Sequence, residues 1–329
     1  MKRILVTGGT VFVSKIIASY FASSKFKDEY QVYVLNRNNH PQVENVVLIN
    51  SSRENLKNKL EEYKFDIIID ITSYTKNDVK SILDSLGDTK NLVEKYILLS
   101  SSAVYPETLP LPFSENNNLG KNIFWNEYGV NKIEAEKYLQ ENFSNYFILR
   151  PPYLYGQENN VYRESFVFDC AEQKRKFYIP QDGKMKLQFF YIEDLCKVIE
   201  NILINNPKEK IFNLGNEECI SILDWVKLCY EVVGSDLQLV NVTKEIPQRN
   251  YFPFYDYEYY LDVTKQKTIL VNTTSLSVGL QKSYDWYKNN KEKLIKKYED
   301  DDRTLEFTIW PWKNDDYFDE ENDCVFDIY

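Results

Sequence analysis

Histidine is almost missing from this chain of 329 residues: His40 stands alone, in a polar stretch before a proline. A Ser-His-Asp arrangement or a histidine metal centre is therefore not expected, and acid/base work, if there is any, falls to another residue type. Cysteine is scarce and unpatterned. Cys170, Cys196, Cys219, Cys229 and Cys324 are an odd number with no CxxC spacing, which speaks against a zinc site and a disulfide framework and leaves buried thiols as the expectation. No apolar run approaches the ~20 residues of a membrane span, and the N-terminus runs straight into a strand pattern, so a cytoplasmic protein without a membrane partner is expected. A basic excess is missing too. The net charge is −10, and residues 299–329 hold 12 acids but only 2 bases, which leaves the rest of the chain balanced. A neutral body lacks the basic face that nucleic acid requires, so no nucleic-acid partner is expected.

What is present begins at Met1. Ile4, Leu5 and Val6 form a short apolar run that stops at Thr7-Gly8-Gly9-Thr10-Val11, and Phe12, Val13, Ile16, Ile17 and Tyr20 follow at helical spacing. Strand, glycine turn and helix in that order bring backbone N–H groups and a positive helix end to one point, which suits a dinucleotide pyrophosphate. Thr7 to Val13 are accordingly cofactor candidates. The full Gly-x-x-Gly-x-x-Gly fingerprint would have glycine at Val11 and Ser14, where this chain has none, so an ordinary first strand-turn-helix unit with no ligand stays open.

A second strand pattern, Gln31 to Leu35, ends at Asn36-Arg37 without the acid that commonly holds an NAD ribose. Arg37 in its place favours NADP over NAD. A strand over Val46–Ile49, a helix over Arg53–Tyr63 and a buried strand over Phe65–Ile71 continue the alternation of a parallel, doubly wound sheet. Asp70, Ile71, Thr72 and Tyr74 lie at the carboxyl end of that buried strand, where such sheets bind ligands, and read as cleft wall. A strand over Tyr96–Ser100 runs into Ser101-Ser102-Ala103-Val104-Tyr105, and a helix opens at Tyr128-Gly129-Val130-Asn131-Lys132. Four residues apart on a helix, Tyr128 and Lys132 share a face. A cation there favours the phenolate, making Tyr128 a usable proton donor or acceptor, while Ser101 could hydrogen-bond the reacting oxygen.

With these segments in order, the chain resembles the extended short-chain dehydrogenase/reductase family, the NAD(P)-dependent epimerase/dehydratase group, over about Lys2 to Tyr298. The resemblance rests on Thr7-Gly8-Gly9, Ser100 to Tyr105, Tyr128 with Lys132, Leu149-Arg150-Pro151 with Tyr155-Gly156, Tyr191 to Leu195, and Phe212-Asn213-Leu214-Gly215. It implies a Rossmann-type α/β fold with a smaller C-terminal α/β lobe. It also implies Ser101, Tyr128 and Lys132 as the catalytic set, with Lys132 holding nicotinamide ribose and Pro151 and Tyr153 beside the cofactor. A sugar or nucleotide-sugar substrate follows, with Tyr74, Ser102 and Tyr153 toward it. Relatives that dehydrate sugar nucleotides carry Asp-Glu after the catalytic Thr; Ser102-Ala103 stand here, which disfavours a 4,6-dehydratase and leaves epimerisation or reduction.

The expected organisation is a dinucleotide-binding domain over 1–150, an interleaved substrate lobe over 151–298 and an acidic, aromatic tail over 299–329 that docks on the body or on a sister subunit in a homodimer. Arg163, Lys186 and Arg249 are cations placed where a substrate diphosphate could be clamped. The aromatic run Tyr251 to Tyr260 reads as core packing or a dimer face, with a sugar-stacking wall as the other reading. Two further readings of the whole chain stay open: a non-catalytic or RNA-associated relative, and a regulatory module that acts through its tail.

Overall fold

The structure, a computed structural model, describes residues 1–243 and 247–300. In chain order, β1 (Lys2–Thr7), α1 (Phe12–Phe21), β2 (Tyr30–Asn36), β3 (Val46–Asn50), β4 (Ile67–Asp70), α2 (Lys76–Ser85), β5 (Lys95–Leu99), α3 (Asn126–Asn142), β6 (Tyr146–Arg150) and β7 (Tyr153–Tyr155) come first. Then follow α4 (Glu164–Glu172), β8 (Phe177–Pro180), β9 (Lys186–Leu187), β10 (Phe189–Tyr191), α5 (Ile192–Asn205), β11 (Ile211–Asn213), β12 (Ile220–Ser221), α6 (Ile222–Val233), β13 (Leu239–Val242) and α7 (Leu276–Asp300).

Every residue of β4 and β5 is buried, as strands covered on both faces must be. Seven strands pair in the order β11-β6-β5-β4-β1-β2-β3 and run parallel at each junction. This is the doubly wound, Rossmann-type α/β sheet. The order runs outward from β1 in both directions, so the carboxyl ends of β1 and β4 flank the switch point where such sheets open a crevice. On one face, Leu5, Tyr33, Leu35, Ile68, Tyr96, Leu98 and Ile148 meet Val79, Ile82 and Leu83 of α2 and Ala135 and Leu139 of α3.

Two units divide the chain. One comprises 1–159, 186–220 and 258–283 and contains the seven-stranded sheet; the other comprises 160–185, 221–257 and the chain from Tyr284. Residues 186–220 and 258–283, which the sequence places in the lobe, thus fall with the sheet, because β11 extends it beside β6 and Phe113 bridges to Leu261. In the second unit β8 pairs with β13, and Asp169 on α4 accepts from the Tyr287 hydroxyl at 2.7 Å and pairs with Lys291. Tyr251, Phe252 and Phe254 are buried there, with Phe252 against Phe177 and Phe254 against Trp225. Tyr259, in the first unit, is buried too. These four aromatics of the run are core, while Tyr255, Tyr257 and Tyr260 are half-buried.

The helix expected over Arg53–Tyr63 does not form. Single 3-10 turns stand at Arg53–Asn55 and Glu61–Tyr63, Lys57 takes a positive φ between them, and the Leu60 N–H is taken by the Ser85 hydroxyl instead of a helical carbonyl. Leu56 and Leu60 still bury their side chains, which explains the misleading spacing. Cys170, Cys196 and Cys229 are buried and Cys219 is half-buried. The docking expected of the tail lies, from residue 301 on, outside the described residues.

Candidate functional site

The glycine turn is shaped by what surrounds it. Gly8 and Gly9 take φ of +90° and +96°, and side chains would collide there: a Cβ on Gly8 would lie 2.7 Å from Ser14 Oγ, and one on Gly9 2.6 Å from Val34 Cγ1. Ser14, standing for the third fingerprint glycine, is buried, and its hydroxyl donates to the Val11 carbonyl at 3.0 Å. Val11 is the N-cap of α1; no side chain caps the helix and no acid stands in its first turn. Those N–H groups and the positive helix end suit an anion, and the turn fits a dinucleotide pyrophosphate. Thr10, Val11 and Val13 are half-buried beside it. The Phe12 ring is buried in the core, so as the first residue of α1 it can offer a ligand its backbone N–H but not its side chain.

The side chains of Thr7 and Asp70 are engaged within the fold. The Thr7 hydroxyl donates to Asp70 Oδ1 at 2.7 Å and accepts from the N–H groups of Ile71 and Thr72 at 2.9 and 3.1 Å, tying β1 to the loop after β4. Asp70 is fully buried and also accepts from Ser73, from Tyr96 at 2.5 Å and from Arg53 Nη2 at 3.0 Å. Burial alone would raise its pKa, but the Arg53 charge and these hydroxyl donors outweigh that and hold it below the usual carboxylate range. Neither side chain is cleft wall; both are the girder beneath it. Arg53 also reaches Thr72 Oγ1 at 3.0 Å and the Asp78 carbonyl at 2.9 Å. The sequence places Arg53 at the start of a helix, and no local spacing marks its meeting with Asp70.

The catalytic candidates come together where α3 meets the turn after β5. Ser101 is half-buried and caps a short 3-10 turn, its Oγ accepting from the Ala103 N–H at 3.1 Å, which leaves its own proton free to donate. A Cβ on Gly129 would overlap the Ala103 carbonyl oxygen, so α3 meets this turn through bare backbone directly after Tyr128. Lys132 is buried, its ammonium donating to the carbonyls of Ser73 at 2.7 Å and Leu99 at 2.8 Å. Its Nζ lies 5.9 Å from the centroid of the Tyr128 ring and 5.0 Å from that of Tyr74. Burial lowers the Lys132 pKa to about 8, against the pull of Asp70 and Glu136.

Below this surface runs a second buried network. Arg150 Nη2 pairs with Glu136 Oε2 at 2.5 Å, Ser100 donates to Glu136, and Arg150 Nη1 donates to the Tyr105 hydroxyl at 2.8 Å, which in turn donates to Asn213 at 2.7 Å. It ties the ends of β5, β6 and β11 to α3. Burial pushes the Tyr105 hydroxyl up to about 12, so it stays a neutral hydrogen-bonding link. Glu136 was legible as an acid one turn after Lys132 on an otherwise apolar helix face.

The remaining candidates divide. Asn36 Nδ2 donates to the Gly8 carbonyl at 2.8 Å, bracing the turn, and Arg37 is exposed just past it. Ile71 is buried, Thr72 half-buried, and Tyr74 exposed beside Tyr128. Ser102 is buried with its N–H on the Pro151 carbonyl, and Tyr153 is 4% exposed among Trp125, Phe189 and Tyr259. Both are packing residues, contrary to the expectation that they face substrate. Lys186 is exposed at the start of β9. Arg163 and Arg249 belong to the other unit, Arg163 as the N-cap of α4 and Arg249 donating to the Pro253 carbonyl over the Tyr255 ring. No helix among the described residues is long and apolar enough to cross a membrane.

Comparison with known proteins places the chain in a family. Residues 4–215 match the model of the NAD dependent epimerase/dehydratase family. Among curated proteins, the chain is 25% identical over 292 residues to the chloroplast stem-loop binding protein of 41 kDa b of Arabidopsis thaliana, covering 82% of this chain and 74% of that one. It is 24% identical over 362 residues to the dTDP-D-glucose 4,6-dehydratase of Dictyostelium discoideum, covering 88% and 82%. Among solved structures, the UDP-glucose 4-epimerase of Thermotoga maritima with UDP-glucose superposes with a TM-score of 0.71 at 18% identity, covering 88% of this chain and 99% of that one. The dTDP-glucose 4,6-dehydratase of Bacillus anthracis in complex with NAD gives 0.71 at 18% identity, covering 89% and 98%. With its parallel sheet, its glycine turn and Tyr128 and Lys132 on α3, this chain belongs to the NAD dependent epimerase/dehydratase family.

Proposed function

We propose that the chain is an NAD(P)-dependent oxidoreductase or epimerase acting on a nucleotide-linked sugar, with Tyr128 as general acid/base, Lys132 as its electrostatic partner and Ser101 as donor to the reacting oxygen. One observation carries the reading: at Gly129, α3 meets the Ser101 turn backbone to backbone, while a buried ammonium lies beside the Tyr128 ring. The nicotinamide supplies the hydride acceptor and donor when bound. Gly8, Gly9 and the first N–H groups of α1 would hold its pyrophosphate, and Tyr128 and Lys132 its ribose.

The chain's own groups do the rest. Two carbonyls fix Lys132, whose charge favours the Tyr128 phenolate, so the phenolate can take a proton from a sugar hydroxyl and the resulting phenol can return it to the carbonyl oxygen. The Ser101 hydroxyl is free to donate to the same oxygen as charge builds on it. Ser102-Ala103 offer no carboxyl pair for an elimination, which supports epimerisation or reduction over dehydration. Arg37, exposed past β2 with no acid beside it, supports NADP. Incubating the protein with UDP-glucose, dTDP-glucose or UDP-glucuronate and NAD or NADP tests the reading by product analysis. If no pair is converted and neither cofactor moves the melting temperature, the reading is wrong.

A second reading draws on the relative named a stem-loop binding protein and on Val11 and Ser14 in place of glycine. In it the chain is a non-catalytic, RNA-associated member. Tight, salt-sensitive binding of a stem-loop RNA with no turnover of any nucleotide sugar would select it.

A further inference from the structure

Around Tyr128 the surface is unusually aromatic. The Tyr74 ring lies 6.3 Å from that of Tyr128 at an interplanar angle of 51°, and the Trp125 ring lies 6.1 Å from it at 50°. Tyr74 is 53% exposed, and Trp125 and Tyr128 are half-buried. Exposed apolar groups gathered at one spot mark a binding surface. These rings are held in place. Trp125 rests on the buried Tyr153 at 6.2 Å. The Tyr74 N–H donates to Asp78 Oδ2 at 3.0 Å, at the capping box that starts α2, and the Lys132 ammonium stands over the Tyr74 ring.

We infer that Trp125 and Tyr74 form a two-ring stacking platform for the reacting sugar itself. The inference rests on the nucleotide-sugar reading of the site. Both rings are centred within about 6 Å of the Tyr128 ring, so a sugar whose oxygen meets the Tyr128 hydroxyl comes within reach of them, and the stacked group is the one that reacts, not the nucleotide. Aromatic faces are electron-rich. They attract the C–H face of a pyranose.

Calorimetric titration of UDP-glucose and UDP into the full chain and into Trp125→Leu, Tyr74→Leu and Trp125→Tyr tests it. Either leucine variant should weaken UDP-glucose roughly 3- to 10-fold, the range of an aromatic contact, and leave UDP unchanged, with Trp125→Tyr close to the parent. Tryptophan fluorescence covers poor folding of the leucine variants: UDP-glucose should quench the parent more than Trp125→Tyr, and UDP should quench both alike. Equal losses for UDP and UDP-glucose, or none, overturn the platform while leaving the nucleotide-sugar reading standing. Failure of both ligands to bind the parent overturns the two together.

Discussion

A Cβ added to Gly129 would overlap the carbonyl oxygen of Ala103. Only backbone separates the start of α3 from the Ser101 turn, and this contact sets how close Tyr128 comes to Ser101. Gly129→Ala should cost about 1–3 kcal/mol by overpacking and lower kcat as α3 moves off the turn. Urea unfolding and steady-state kinetics measure the two effects; lower stability with unchanged kcat would remove Gly129 from any positioning role.

Asp70→Asn should be among the most damaging single changes. It leaves the Arg53 guanidinium without its buried counter-ion, a loss of about 3–5 kcal/mol. Because the folded-state pKa of Asp70 is lowered, its stabilisation is complete above the ordinary carboxylate value of ~3.9 and lost as pH falls through the lower folded value. The stability gap between parent and variant should therefore stay level from about pH 5 to 8 and close only in strong acid. Denaturant titrations across pH check this.

The Lys132 ammonium makes the opposite end of the pH scale informative. Its folded pKa of about 8 lies below the ordinary lysine value near 10.5, so between these the unfolded chain keeps a proton that the folded chain has lost. Stability from this group rises through that window and is gone again as pH falls past 8. Relative to Lys132→Met, the parent should gain up to roughly 3 kcal/mol between pH 8 and 10. A level difference would show that the folded ammonium keeps its charge.

Chemistry should separate from folding at Tyr128. Tyr128→Phe removes one oxygen, so the melting temperature and cofactor binding should survive while turnover falls at least ~100-fold. Ser101→Ala should lower kcat more than it raises KM. Full activity in Tyr128→Phe would end the assignment and bring the non-catalytic reading forward.

Arg37→Ala should erase a preference for NADP. A charge-assisted contact of about 1.5–3 kcal/mol corresponds to roughly 10- to 150-fold. Calorimetry finding equal binding of NAD and NADP to the parent would refute the preference itself. Val11→Gly should tighten either cofactor if Val11 crowds the pyrophosphate; unchanged affinity would mean that Ser14 and the turn already accommodate it.

The sequence by itself determined the parallel sheet, the glycine turn and the pairing of Tyr128 with Lys132. Each is local: continuous apolar runs mark strands buried on both faces, glycines mark a turn no side chain could take, and a four-residue step shares a helix face. Which way a residue at a strand end points is not local. Thr7, Asp70, Ser102 and Tyr153 sit at the carboxyl ends where ligands bind, yet their side chains turn inward, because strand pairing and the loops that follow set their direction. Only the tertiary structure could bring Arg53 to Asp70, Arg150 to Glu136 and Gly129 to Ala103. Each meeting joins a strand, helix or turn to a different element across the fold, and no spacing along one segment records it.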